Sequence, residues 1–541
     1  MTNRSARVGI LFAIGLLLMS ATALSAATFS RDQLIDDARQ LAQALEDTHP
    51  DPFVHCGGRV AFYRALQDVL EAIPEGGMTR DAFIRLLRPL LAMVGDAHTG
   101  IWSGYSVSEA YPGGVPLEFG VVEESLYVEA IRTGDDTDLF GARLLSVEGV
   151  SVDALCERQR RVQADENQYG TLNMLANLSL RYGPFMQDIL PEWKEGEPVH
   201  VTLELATGEV RELAFTFPKP MRWLARPPTQ IAAPAAGDGG FVWSFWGDDR
   251  RIAYLRVDHM LYYREAYEVW DAAGSQDVSD EELAAIPSVT EAFRDLVVAM
   301  KDAGTETLIV DLRRNEGGNS LMADILVYFL YGGDTLVDVQ KAGFDVGRGE
   351  IRRYSELYFE SCDNQTIDDF NEGRAVPMVV GDHDFSYYLT DPAAVGDVLA
   401  DPEPAFVTDW LDRTPTFYDE YLSGAYGGYY RPENVLVVTT SATFSSGFTL
   451  ARHLYLAGAA LVGTPSAQSS NCFGEITWFD LANTGIRISV SESCFIMFPP
   501  DSELATVLPV HYPLTYEKLA SYDFDPNAWL RYALEIAQED E

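Results

Sequence analysis

"VVTTSATFSSGFTLARHL", residues 437–454, passes from an apolar, strand-like run through a cluster of hydroxyl residues into an amphipathic helical pattern. A second stretch of the same design, "TLIVDLRRNEGGNSLMADIL" at 307–326, runs from an apolar strand through a Gly-Gly turn into another helix. Working outward from these two, strand-like runs alternate with helices near 288–302, 320–331 and 446–457, with "RIAYLRV" before them and "AALVGT" after. Such alternation predicts an α/β unit with parallel strands. In open sheets of that kind, ligands sit at the carboxyl ends of the strands, so both junctions are placed to open into one cleft. Ser445, at the second junction, has two readings. It is either a helix N-cap or a nucleophile beside free N–H groups at the positive end of a helix.

Before this unit, "RDQLIDDARQLAQALEDTHP" (31–50) places Leu34, Ala38, Leu41 and Leu45 on one helical face, and "RDAFIRLLRPLLAMV" continues the pattern. From about residue 113 the period shifts toward strands, ending in an expected hairpin at 200–217, with a helical patch around 157–182. "RPPTQIAAPAAGDGG" (226–240) reads as a linker. The division expected is a leader at 1–27, a helical unit at 28–112, a β-rich unit at 113–225, and an α/β core at 226–541 with an insertion at about 334–431.

The leader carries Arg4 and Arg7, an apolar run from Val8 to Met19, and small residues around Ala26, the pattern of a cleaved export signal. A periplasmic or secreted protein is therefore expected, with no membrane attachment after cleavage. Net charge is −43, which repels nucleic acid and anionic membrane surfaces. Five cysteines are too few for a disulfide scaffold; Cys472 and Cys494, in neighbouring strand-like segments, are the pair expected to bond. There is no HExxH, P-loop, dinucleotide GxGxxG or Cys/His metal spacing, so no metal or other cofactor is expected.

Three further segments join the Ser445 stretch: "MVGDAHTGIW" (93–102) with His98, "DLRRNEGGNS" (311–320), and "PPDSELATVLPV" (499–510) with Glu503. Together, and in this order, they resemble the tail-specific or C-terminal processing serine peptidases, particularly the tricorn-core-like branch. "RLLSVEGV" (143–150) resembles a turn of that family's PDZ-like unit. The resemblance implies a ββα-superhelical core of the ClpP/crotonase type, a PDZ-like β unit and a polypeptide substrate. It makes Ser445 the nucleophile, His98 the general base and Glu503 the acidic member, with the oxyanion hole formed by Gly317 or Gly318 and the N–H of Ser446. Some members use a lysine base about 25 residues after the serine. "VGTPSAQSSNCFG" (462–474) has none, which leaves the Ser-His version.

Ala97, Glu316 and Phe448 depart from the family pattern, Ala97 where a linking serine can stand. They keep open a noncatalytic relative that binds peptide or an apolar ligand; a hydrolase of the same Ser-His class acting on small esters or amides is a second, separate alternative. His453 and His511 read as packed or surface histidines, Asp311 as an acceptor for turn N–H groups, Ser441 and Thr443 as binding their own turn, and Ser320 as a helix cap.

Overall fold

The computed structural model describes residues 28–539 apart from 103, 106, 108–112, 133–135, 217–224, 236, 273–277, 362–365 and 373. The expected export leader and Cys362 lie outside the described residues. Among the described residues no helix is long and apolar enough to cross a membrane.

The architecture is mixed α/β. Its central sheet has six strands in the order Phe241–Trp246, Ile252–Val257, Thr307–Asp311, Asn434–Thr439, Ala460–Gly463 and Tyr512–Pro513. The first pair is antiparallel and the others are parallel. Val435–Val438 are continuously apolar because both faces of this sheet are covered. Helices Val289–Ala303, Leu321–Tyr331 and Ser446–Leu456 pack on one face. The closing helix Ala528–Glu539 lays Trp529, Leu530 and Ala533 on the other. Phe448, where the family pattern has a charge, belongs to the first of these cores and is 1% exposed, so an acidic side chain there would be buried.

At the amino end, helix Arg31–Thr48 opens with a capping box between Ser30 and Gln33. Its Leu34, Ala38, Leu41 and Leu45 are fully buried against Arg59–Ala72 and Arg80–Ala92, together with Ile488 and Val490 from the far end of the chain. Residues 117–215 form a separate antiparallel sheet, Leu117–Val122, Ser125–Ile131, Arg143–Val147, Val199–Glu204 and Val210–Phe215. Its core is closed by helices Val152–Arg160, Gln168–Met174 and Gly183–Ile189.

The 334–431 region does not stand apart. Its strands Arg348–Arg353 and His383–Leu389 extend a sheet whose other members are Arg487–Ile496 and Cys472–Asp480. The expected linker is likewise bound to the body: Arg226 reaches Glu118 at 2.9 Å and Glu129 at 3.2 Å, and Asn527 donates to the Ile231 carbonyl at 2.7 Å. Pro and Ala gave this stretch a linker's composition while its backbone groups found partners elsewhere.

Cys472 and Cys494 are free thiols, contrary to the expected disulfide. Phe473, not Cys472, faces Cys494, and Cys472 faces Phe495. Alternation along a strand therefore sends the two sulfurs to opposite sides of the sheet.

Candidate active site

The junctions after Asp311 and after Thr439 lie on neighbouring parallel strands. They are tied beyond the sheet by Leu312 N–H to the Val438 carbonyl (2.9 Å), Phe444 N–H to the Asn315 carbonyl (3.0 Å) and Thr443 Oγ1 to the Leu312 carbonyl (2.9 Å). Thr443 also closes its own turn by accepting from Thr440 N–H. Asp311 accepts from Arg313 N–H, as the turn-acceptor reading expects, and also from the Arg313 guanidinium and the Tyr254 hydroxyl.

Ser445 stands at the head of helix Ser446–Leu456 with φ 52° and ψ −128°, a conformation that costs a non-glycine residue of order 1–3 kcal/mol. Its hydroxyl makes no capping bond, so the N-cap reading of this serine does not hold. Its own N–H is held by Gln468 Oε1 at 2.5 Å. Gly317 packs directly against it: a Cβ on Gly317 would lie 2.6 Å from Ser445 Cβ and 3.1 Å from its Oγ. At Gly318 a Cβ would meet the Met260 carbonyl oxygen at 2.1 Å, and φ is +139°, so only glycine lets the chain pass.

The oxyanion candidates separate. Gly317 N–H donates to Asn315 Oδ1 at 2.9 Å and is occupied. Among the described residues no hydrogen bond is recorded for the N–H of Gly318 or of Ser446, the latter being the first residue of its helix. Ser446 Oγ donates to the Gly318 carbonyl at 2.7 Å and lies 3.0 Å from Ser320 Oγ, pinning the two loops together. Ser320 does not cap its helix; Asn319 Oδ1 receives Leu321 N–H in its place.

His98 comes from the other end of the chain, in a bend just before a short strand, Gly100–Ile101, that pairs with Ile488 and Ser489. Ser489 Oγ donates to the His98 carbonyl at 2.6 Å and accepts from Gly100 N–H and Trp102 Nε1. Asp96 fixes the turn from beneath. One oxygen accepts His98 N–H (2.8 Å); the other accepts the hydroxyls of Thr99 (2.5 Å) and Ser491 (2.6 Å), with His49 Nε2 at 3.3 Å. Burial alone would raise the Asp96 pKa, but His49, His98 and Ser491 together hold it well below the usual carboxylate range.

The His98 ring stacks on Phe444, the residue before Ser445, with centroids 4.7 Å apart. No direct hydrogen bond between His98 and Ser445 is recorded among the described residues. On its other side, His98 Nδ1 faces Glu166 Oε1 at 3.4 Å and Asp96 Oδ1 at 3.9 Å. Glu166 is itself held by Ser469 N–H at 2.9 Å, and its carbonyl accepts from the Ser469 hydroxyl at 3.0 Å. Burial pulls the His98 pKa down; the carboxylates of Glu166 and Asp96 outweigh it, and the net direction is upward. Burial likewise drives the Glu166 pKa up, only partly offset by His98.

Glu503, expected as the acidic member, lies in the first turn of helix Glu503–Thr506, exposed to solvent, with no side-chain contact to His98 recorded among the described residues. A carboxylate there is favoured by the helix dipole alone. The carboxylates at the imidazole are Glu166 and Asp96. Asp96 adjoins His98 in sequence; Glu166 sits in the β-rich region, and no motif flags it. The remaining candidates are structural: His453 is buried with Nδ1 3.4 Å from Asp324 Oδ1, and His511 Nδ1 accepts Leu461 N–H at 3.0 Å. Ser441 lies 3.4 Å from Asn173 Oδ1.

A serine whose hydroxyl caps nothing, an imidazole backed by a carboxylate, and N–H groups with no recorded bond among the described residues are the kinds of group that acyl transfer uses.

No family model and no curated protein matches the sequence. Solved structures do. The chain is similar to mature CPAF, with a TM-score of 0.51 at 15% identity over 94% of this chain and 96% of that one. It is also similar to mature CPAF complexed with lactacystin, with a TM-score of 0.50 at 14% identity over 94% and 98%. The photosystem II D1 C-terminal processing protease matches at 14% identity over 91% and 95%, with a TM-score of 0.36. The described chain thus has the fold of mature CPAF over nearly its whole length.

Proposed function

We propose that this protein is an exported serine peptidase that cleaves polypeptides through a Ser445 acyl-enzyme, with His98 as general base. One observation carries the reading: a strained, uncapped Ser445 lies beside Phe444, on which the imidazole of His98 stacks. The fold shared with mature CPAF supports it.

In this mechanism His98 takes the Ser445 proton as the hydroxyl attacks the peptide carbonyl, and returns it to the leaving amine. The N–H groups of Gly318 and Ser446 receive the oxyanion. Glu166 takes the part first expected of Glu503: it faces Nδ1, keeps a proton on that nitrogen, and leaves Nε2 as the base. Catalysis requires that substrate binding bring serine and imidazole within hydrogen-bonding reach, a tightening common on forming the Michaelis complex.

A fluorophosphonate probe tests the reading. The wild-type protein is expected to be labelled at Ser445, and Ser445→Ala and His98→Ala to remain unlabelled while keeping their circular dichroism. A folded wild-type protein that resists labelling would instead support the noncatalytic alternative, which draws on the missing His98–Ser445 hydrogen bond. Comparing peptide with small-ester turnover decides between the peptidase and the ester or amide hydrolase.

The role given to Glu166 has its own signature. As a base His98 must be neutral, so activity falls as pH drops through its raised pKa, and the acid limb of kcat/KM is expected above the ordinary histidine value of about 6.5. In Glu166→Gln that limb should move to lower pH, and the plateau should fall by roughly 10²-fold or more. A plateau that drops without any shift of the limb would reduce Glu166 to a structural residue.

A further inference from the structure

The geometry points to a second use of the same corner: we infer that Asp96, His98 and Glu166 form a three-ligand site for Zn2+, and that an ion seated there switches the protein off. The three residues offer one carboxylate oxygen each from Asp96 and Glu166 and the Nδ1 nitrogen of His98, all within 4.8 Å of one another. Zinc binds imidazole nitrogen at about 2.0–2.1 Å and carboxylate oxygen at about 2.0–2.2 Å, so neighbouring ligands of a tetrahedral ion lie about 3.3 Å apart. The His98–Glu166 separation of 3.4 Å already fits, and the His98–Asp96 separation of 3.9 Å needs only a small contraction.

Two of these atoms are aimed at the site without a geometrically sound hydrogen bond, His98 Nδ1 and Glu166 Oε1. Glu166 is 95% buried, its side chain being 5% exposed. A buried carboxylate oxygen that faces an imidazole at 3.4 Å without a sound hydrogen bond is only weakly compensated, and a dication between the two carboxylates compensates it better. Asp96 Oδ1 accepts one N–H, from His98, and keeps a second lone pair for the metal.

The donor set selects among cations. One imidazole and two carboxylates suit zinc and its first-row neighbours, whereas calcium takes six to eight oxygens and magnesium keeps most of its waters. A nearby acidic group illustrates what does not qualify: Glu492, on strand Arg487–Ile496, is already faced by the Arg352 guanidinium at 3.5 Å.

The inhibitory consequence rests on the hydrolase reading; the binding site does not. A metal on Nδ1 uses that nitrogen's lone pair and leaves the ring's single proton on Nε2. The face that must accept the Ser445 proton becomes a donor, and the base is lost while every residue stays in place.

Titration of EDTA-treated full-length protein with Co2+, followed by its visible d–d absorption and then by Zn2+ competition, tests the site. One equivalent is expected to bind in the wild type and in Ser445→Ala alike. Affinity should drop about tenfold to hundredfold in Glu166→Gln and by at least as much in His98→Gln. Binding that is absent, or unchanged in both variants, overturns the site. In the wild type, fluorophosphonate labelling should fall in step with Zn2+ occupancy and return with EDTA; occupancy that leaves labelling intact overturns the switch. Metal binding by the expected ligands in a protein that no probe labels even without metal would leave the site standing and sink the peptidase reading.

Discussion

With Ser445 replaced by alanine, kcat/KM on a cleaved peptide is expected to fall on the order of 10⁴-fold or more, with the protein as stable as the wild type or slightly more so. The attacking oxygen is gone, and what remains is transition-state binding by the Gly318 and Ser446 N–H groups, enough for a small residual rate over water. Stability should not suffer, because the hydroxyl makes no capping bond and the backbone strain at φ 52° stays with either side chain. His98→Ala should lose a similar factor, and the double variant should be no worse than either single one, since in the proposed mechanism nucleophile and base act as one unit. Strictly additive losses, or a Ser445→Ala protein with more than a tenth of wild-type activity, would place the chemistry elsewhere.

Asp96→Ala is expected to cost about 3–5 kcal/mol of stability and to abolish activity at the same time. Its carboxylate is buried and accepts from the His98 backbone, Thr99 and Ser491, with His49 at ion-pair distance, so its removal strands several buried donors at once. The site fails with it because the loop carrying His98 loses its anchor. A urea melt reads the first effect and probe labelling the second. The pH dependence has a definite sign. Because the folded pKa lies below the unfolded one, the stabilisation is fully present above about pH 4 and is lost as pH falls further, so the wild type should lose stability steeply in acid and Asp96→Ala should not share that loss. A variant that melts like the wild type at neutral pH would show that the cluster stabilises nothing.

The strand-to-helix junctions were legible in the sequence because each is local: apolar runs of strand length, a turn rich in Gly or Ser, then helical spacing. Parallel neighbours and a shared end followed from the alternation. Other features depend on contacts that no local pattern encodes. Glu166 reaches His98 across 68 positions and Ser469 across 303, and nothing near it resembles a motif. Glu503 was attractive because it stood in a recognisable segment, yet a short helix turns it to solvent. The cysteine pair failed on a register one residue away from the one needed, which proximity in sequence does not reveal.

The pairing of the histidine strand with Ser489 joins residues 391 positions apart. During translation the imidazole emerges early, but the strand that holds it and the serine it serves are made hundreds of residues later. Contacts of such long range close last, after their loops have been ordered. A half-made chain therefore carries no assembled site, and on the proposed mechanism it has no activity until the segments of Ser445 and Ser489 have both been made.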